Sequence, residues 1–163
     1  MRKTAVALIT LLALAVATST SAEARFLERT FVAPATGSQE LPEVDTDARG
    51  IGVFHASLDR ERLYFRVVAV RIDDVNMAHL HLGERDENGP VVAWLYPDAP
   101  PPKTIEGRHD GVLAHGVITD DDIVPGLGVD SVQELVEEIR SGNIYLNIHT
   151  LDNPAGEIRG QLR

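Results

Sequence analysis

Apolar residues recur at every second position in short runs, and glycine, proline, asparagine or aspartate breaks the runs apart. A period of two puts successive side chains on opposite faces, so each run reads as a strand with one face turned to a core. The pattern predicts strands over 26–32, 50–58, 62–72, 77–82, 91–96, 111–118, 143–150 and 157–162. Eight short strands separated by turns specify an all-β antiparallel domain, a Greek-key-like sandwich or a flattened barrel. Asp59-Arg-Glu-Arg62 reads as a polar hairpin turn. Asn88-Gly-Pro90 reads as another, with Gly89 free to take positive φ. Three consecutive prolines at 100–102 cannot continue a ladder, so 97–102 is expected to be a rigid connector.

One short helix is expected near residues 131–141. Ser131 and Glu134 have the spacing of a capping box, in which the hydroxyl and the carboxylate satisfy N–H groups at the helix start. Val132, Leu135, Val136 and Ile139 form its apolar stripe, and Gly142 is a suitable stop. Such a helix should cover an edge or an end of the sheets.

The chain opens with Met1-Arg-Lys3, an apolar stretch over 5–17, and small residues in an Ala-x-Ala arrangement ending at Ala24. This predicts a secretory signal peptide over 1–24, cleaved after Ala24 (or after Ala22), and a single domain over 25–163. The apolar stretch falls short of the roughly 20 residues that span a bilayer, and no second stretch approaches that length. The mature protein is therefore expected to be exported, to the periplasm or beyond, and free of the membrane.

The chain has no cysteine, so it has no disulfides, thiolate ligands or cysteine nucleophile, and its core alone must hold it together. The net charge is −10, and it becomes −11 when Arg2, Lys3 and Glu23 are removed with the signal segment. That sign argues against a nucleic-acid partner, which needs a basic face.

The chemistry concentrates in three histidines. His79 and His81 are two apart in Ala78-His-Leu-His-Leu82, so they share a strand face with Cβ atoms about 6–7 Å apart. His149 lies in Asn147-Ile-His-Thr150, and a neighbouring strand could bring it alongside. Parity gives Ala78, Leu80, Leu82, Ile144, Leu146, Ile148, Ile158 and Leu162 to the core. It gives His79, His81, Tyr145, Asn147, His149, Glu157, Arg159 and Gln161 to an outer, polar face. That face is a plausible metal site, and it is also what any half-buried antiparallel sheet presents. Neutral imidazoles suit zinc, copper, nickel or iron, and three without a thiolate leave a coordination position open. Copper is favoured over zinc because it heads the affinity order for nitrogen ligands. Arg159, Asn147 and Glu157 are the candidates to guide an anion to the site or to support its ligands.

His55, His109 and His115 stand in apolar strands or a polar loop and read as structural or surface residues. Asp73-Asp74 and Asp120-Asp-Asp122 match no EF-hand loop and read as solvated turns. No nucleophile elbow, phosphate-binding glycine loop or catalytic carboxylate pair declares itself. The absence of such machinery leans away from an enzyme.

Several segments together resemble one family. They are Gln39-Glu-Leu-Pro-Glu-Val44, Ala48-Arg-Gly50, Leu63-Tyr-Phe65, Ala78-His-Leu-His-Leu-Gly83, Asn88-Gly-Pro-Val-Val92, Gly142-Asn-Ile-Tyr-Leu-Asn-Ile-His-Thr150 and Asn153-Pro-Ala-Gly-Glu-Ile-Arg-Gly-Gln-Leu162. This combination, over residues 26–163, resembles the CHRD domain, the module repeated in chordin and found alone in exported bacterial proteins. The resemblance implies an all-β sandwich. It also implies a non-catalytic extracytoplasmic binding module for a protein or glycan partner.

A weaker similarity connects His79-Leu-His81, Asn147-Ile-His149 and Asn153-Pro-Ala-Gly156 with Arg159 to the copper-site segments of copper–zinc superoxide dismutases. The zinc ligands of that family have no match after Gly89, and its disulfide is impossible here. This similarity implies a zinc-free copper site in a redox or metal-handling protein.

Overall fold

The computed structural model describes residues 29–163, so the expected signal segment over 1–24 lies outside the described residues. Eight strands form one antiparallel sheet: β1 Thr30–Thr36, β2 Arg49–Ala56, β3 Leu63–Asp73, β4 Val75–Leu82, β5 Val91–Tyr96, β6 Arg108–Ile118, β7 Ile144–Thr150 and β8 Ile158–Gln161. Their spatial order is β5-β4-β7-β8-β1-β2-β3-β6. Non-sequential neighbours, such as β3 with β6 and β4 with β7, show that the chain crosses over between strands. The sheet curls until its two edges approach. The segment after β6 bridges β5 through Ala93 and Ile123, and the Val124 N–H donates to the Val92 carbonyl at 2.9 Å. A flattened, nearly closed barrel results.

The inner face follows the alternation. Phe54, Leu63, Val67, Ala78, Leu80, Leu146, Ile148 and Ile158 are fully buried. β1 and β2 present small residues to this interior, namely Ala33, Ala35, Gly50 and Gly52. A methyl group on Gly52 would stand 2.6 Å from the Phe54 ring, and one on Gly160 would stand 2.5 Å from the Pro34 carbonyl oxygen. Large side chains from β7 and β8 therefore fill space that β1 and β2 leave open, which flattens the barrel.

The first strand differs from expectation, running over Thr30–Thr36 with Phe31, Ala33 and Ala35 turned inward. Small alanines and Pro34 disguise it in the sequence. Pro34 points outward and is exposed.

The single α-helix described, α1, spans Val132–Ser141 and buries Val132, Leu135, Val136 and Ile139 in the same core. Ser131 Oγ accepts from the Glu134 N–H at 3.2 Å, as the capping box requires. The returning carboxylate accepts from the Asp130 N–H instead of from Ser131, at 2.8 Å. Gly142 ends the helix at φ +83°. Among the described residues no helix is long and apolar enough to cross a membrane.

Candidate metal centre

Strand pairing brings the three histidines together. β7 lies beside β4, with Asn147 opposite His79, Tyr145 opposite His81 and His149 opposite Met77. His149 is therefore a diagonal neighbour of His79. On the far side of β4, Trp94 of β5 pairs with His79 and meets its ring edge-on, centroids 4.2 Å apart. The ring centroids of His79 and His81 are 5.6 Å apart, those of His79 and His149 4.9 Å, and those of His81 and His149 6.0 Å. Each ring offers a nitrogen within 4.8 Å of the nitrogens offered by the other two. Histidines 55, 109 and 115 do not join this group.

The parity was right, but the face is not open. His79, His81 and His149 retain only 3%, 8% and 5% of their exposure, and every residue of β7 is buried. Three loops fold over the polar face and are fastened to it. The 84–90 loop is held by Arg159, the 152–156 loop by His149 and Asn147, and the 37–47 loop by Glu157 through Thr46. These loops join the face from distant points in the chain, so strand alternation carried no sign of them.

Backbone carbonyls fix the tautomers. A carbonyl can only accept, so His81 donates from Nδ1 to Gly89 O at 3.0 Å and His149 donates from Nδ1 to Pro154 O at 3.1 Å. In both neutral rings Nε2 then carries the lone pair. This is the support usual for metal-ligating histidine, whose second nitrogen donates to a carbonyl or carboxylate. His79 Nδ1 stands 3.1 Å from His149 Nε2, donating to it when all rings are neutral. The Nε2 atoms of His79 and His81 are buried and have no protein partner.

Electrostatics keep the rings unprotonated. Burial pushes the His79 imidazole down to about 3, with His149 and then His81 adding to the shift. Burial and then His81 hold His149 at about 4, against the opposing effect of the Pro154 carbonyl. Burial also lowers His81, the Gly89 carbonyl opposes this, and the charge of Arg159 adds to it. At neutral pH the pocket therefore holds three uncharged nitrogen donors.

This donor set fits a first-row metal ion. Nitrogens at about 2.0–2.1 Å from a tetrahedral ion lie about 3.3 Å from one another. The His79–His149 pair is already at that spacing. Were an ion bound, His79, His81 and His149 would be the residues to hold it, and His79 could ligate through Nδ1 with its ring proton carried on the unpartnered Nε2.

The other three candidate residues, Asn147, Glu157 and Arg159, are tied by hydrogen bonds to the covering loops. Asn147 lies between His79 on β4 and Arg159 on β8, its amide directed to the Ala155 carbonyl at 3.4 Å. Glu157 accepts from Thr46, Thr150 and Asn153, which pins two loops to the sheet. Arg159 is 1% exposed and donates to Asn88 Oδ1 and to the carbonyls of Glu84 and Glu87.

Three further residues belong to the site. Trp94 walls it, and Tyr145 stacks on His81 with ring centroids 4.9 Å apart. Glu40 is buried, and burial pushes its carboxyl up to about 7 against the opposing charge of Arg159 and a Leu41 backbone hydrogen bond. Tyr145 was legible from its shared face with His149. Glu40 lies in a loop, where no periodicity marks it.

The family model of the CHRD domain matches residues 31–162. The chain belongs to the CHRD-domain family. The match covers every strand of the barrel except the first residue of β1, and it includes all three histidines of this CHRD domain. No curated protein and no solved structure matches the chain.

Proposed function

We propose that this protein is an exported CHRD-domain module that binds one transition-metal ion through His79, His81 and His149, with copper favoured over zinc. The observation that carries this reading is the convergence of three buried, neutral imidazoles, two of them oriented by backbone carbonyls. Nitrogen donors without thiolate or carboxylate favour copper by the affinity order. The similarity of the histidine segments to those of copper–zinc superoxide dismutases supports the same ion.

Holding the ion is favoured over turnover, because the loops cover the ligands on the side a substrate would approach. The export part of the reading rests on the basic, apolar and Ala-x-Ala pattern of residues 1–24.

Copper titration of the purified protein, followed by calorimetry and electron paramagnetic resonance, tests the site. Tight one-to-one binding with nitrogen hyperfine structure is expected, lost in His79→Ala and in His149→Ala. Weak binding unchanged by either substitution would remove the metal reading. Mass spectrometry of the protein from the extracytoplasmic fraction tests export, with a new N-terminus at Arg25 or Glu23 expected.

A further inference from the structure

We infer that Arg159, acting through Tyr145 and the 84–90 loop, is a positioning residue that orients His81 and favours Cu(I) over Cu(II) at the centre. The inference rests on the three-histidine copper reading. Three planar groups are stacked here. The guanidinium carbon of Arg159 lies 3.5 Å from the Tyr145 ring centroid, and the Tyr145 ring lies over the His81 ring at an interplanar angle of 13°. The stack fixes the face of the imidazole.

The same arginine fixes the edge of that ring. It donates to Asn88 Oδ1 at 3.0 Å, to Glu84 O at 2.7 Å and to Glu87 O at 2.8 Å. Those bonds pin the loop whose Gly89 carbonyl accepts from His81 Nδ1. The Gly89 N–H in turn donates to the Tyr145 hydroxyl at 3.1 Å. Both restraints on His81 thus run back to one side chain.

Its charge acts as well. Among the described residues, no carboxylate forms an ion pair with Arg159. Glu40 and Asp86 act on it only through space, and Glu40 is partly protonated at neutral pH. A buried positive charge beside a metal ion disfavours the more highly charged state of that ion, because little solvent screens the repulsion.

The test is the ratio of Cu(I) to Cu(II) affinity, measured by competition with chelators specific for each state. Arg159→Gln keeps donors but removes the charge, and the ratio is expected to fall about tenfold, equivalent to about 59 mV in a one-electron potential. Arg159→Lys keeps the charge but loses the planar fork. It should weaken both states together as the loop loosens, with the ratio held within about twofold. Equal weakening of both states in Arg159→Gln, leaving the ratio unchanged, would overturn the inference. If Arg159→Gln does not fold by circular dichroism, Arg159→Lys decides alone: an unchanged ratio supports the inference and a tenfold fall overturns it. Failure of the wild type to bind copper is a separate result, which removes the metal reading and this inference with it.

Discussion

A methyl group at Gly89 would stand 1.5 Å from the Leu82 carbonyl oxygen and 2.7 Å from its carbon. The residue is thus glycine because two stretches of backbone touch there. The turn motif suggested a different reason, since Gly89 is not among the glycines with positive φ. The same residue supplies the carbonyl that orients His81. Gly89→Ala must push the loop away from β4, so we expect it to destabilise the fold by about 3 kcal/mol. It should also weaken copper binding by about 10–100-fold, as loss of a group that orients a ligand does. Gly107→Ala is the comparison, since φ is +72° there and nothing lies within 4 Å. Only backbone strain of about 1–2 kcal/mol opposes that substitution. Thermal melts of the two variants check the claim, and equal losses would show that the close approach at Gly89 carries no special weight.

At the scale of elements, β7 stands apart. All seven of its residues are buried, because the inner face meets the core while the outer face meets the loops. Pairing with β4 on one side and β8 on the other leaves no edge to fray. Its amides should therefore exchange with solvent at rates near those of global unfolding, while those of the edge strand β6 exchange sooner. Hydrogen-exchange mass spectrometry distinguishes the two, and equal protection would contradict the sandwiched position of β7. The sequence made half of this arrangement legible. Alternation over 143–150 and 77–82 correctly separated the aliphatic face from the face of His79, His81, Asn147 and His149. It could not reveal that the second face is covered, because the cover is made by contacts such as Arg159 with Glu84 and Thr46 with Glu157. These join positions far apart in the chain, and the first depends on a backbone carbonyl, which every residue carries. Glu40 was hidden for the same reason. β1 was displaced because alanine and proline give a strand little of the β-branched signal that marks the others.

For the molecule as a whole, the buried histidines and Glu40 set opposing limits on pH. The folded-state values of His79 and His149 lie below that of an exposed imidazole, about 6.5, so the unfolded chain binds more protons once the pH falls below that value. Their contribution to stability is complete above pH 6.5 and is lost as the pH falls toward about 4 and then about 3. Each removes about 1.4 kcal/mol per pH unit in that window, and the lowered His81 works in the same direction. Glu40 has the opposite sign. Its folded value near 7 exceeds the ordinary 4.5, so the folded protein gains stability as the pH falls through 7. Between 6.5 and 4.5 one carboxyl gains stability while at least two imidazoles lose it, so the histidines prevail. Stability should therefore peak near pH 6.5 and decline on both sides, more deeply on the acid side. Urea denaturation from pH 8 to pH 4.5 measures this directly. A flat profile between 6.5 and 5 would mean that the histidines are hydrated or already protonated, contrary to their burial. Copper adds a second test of the same groups. At 100 times its dissociation constant, an ion bound only by the folded state adds about 2.7 kcal/mol, or about 10 °C in a domain of this size. Protons and copper compete for the same lone pairs in the folded protein, so at fixed copper this increment must shrink as the pH falls toward about 4. An increment that did not change with pH would place the ion away from His79, His81 and His149.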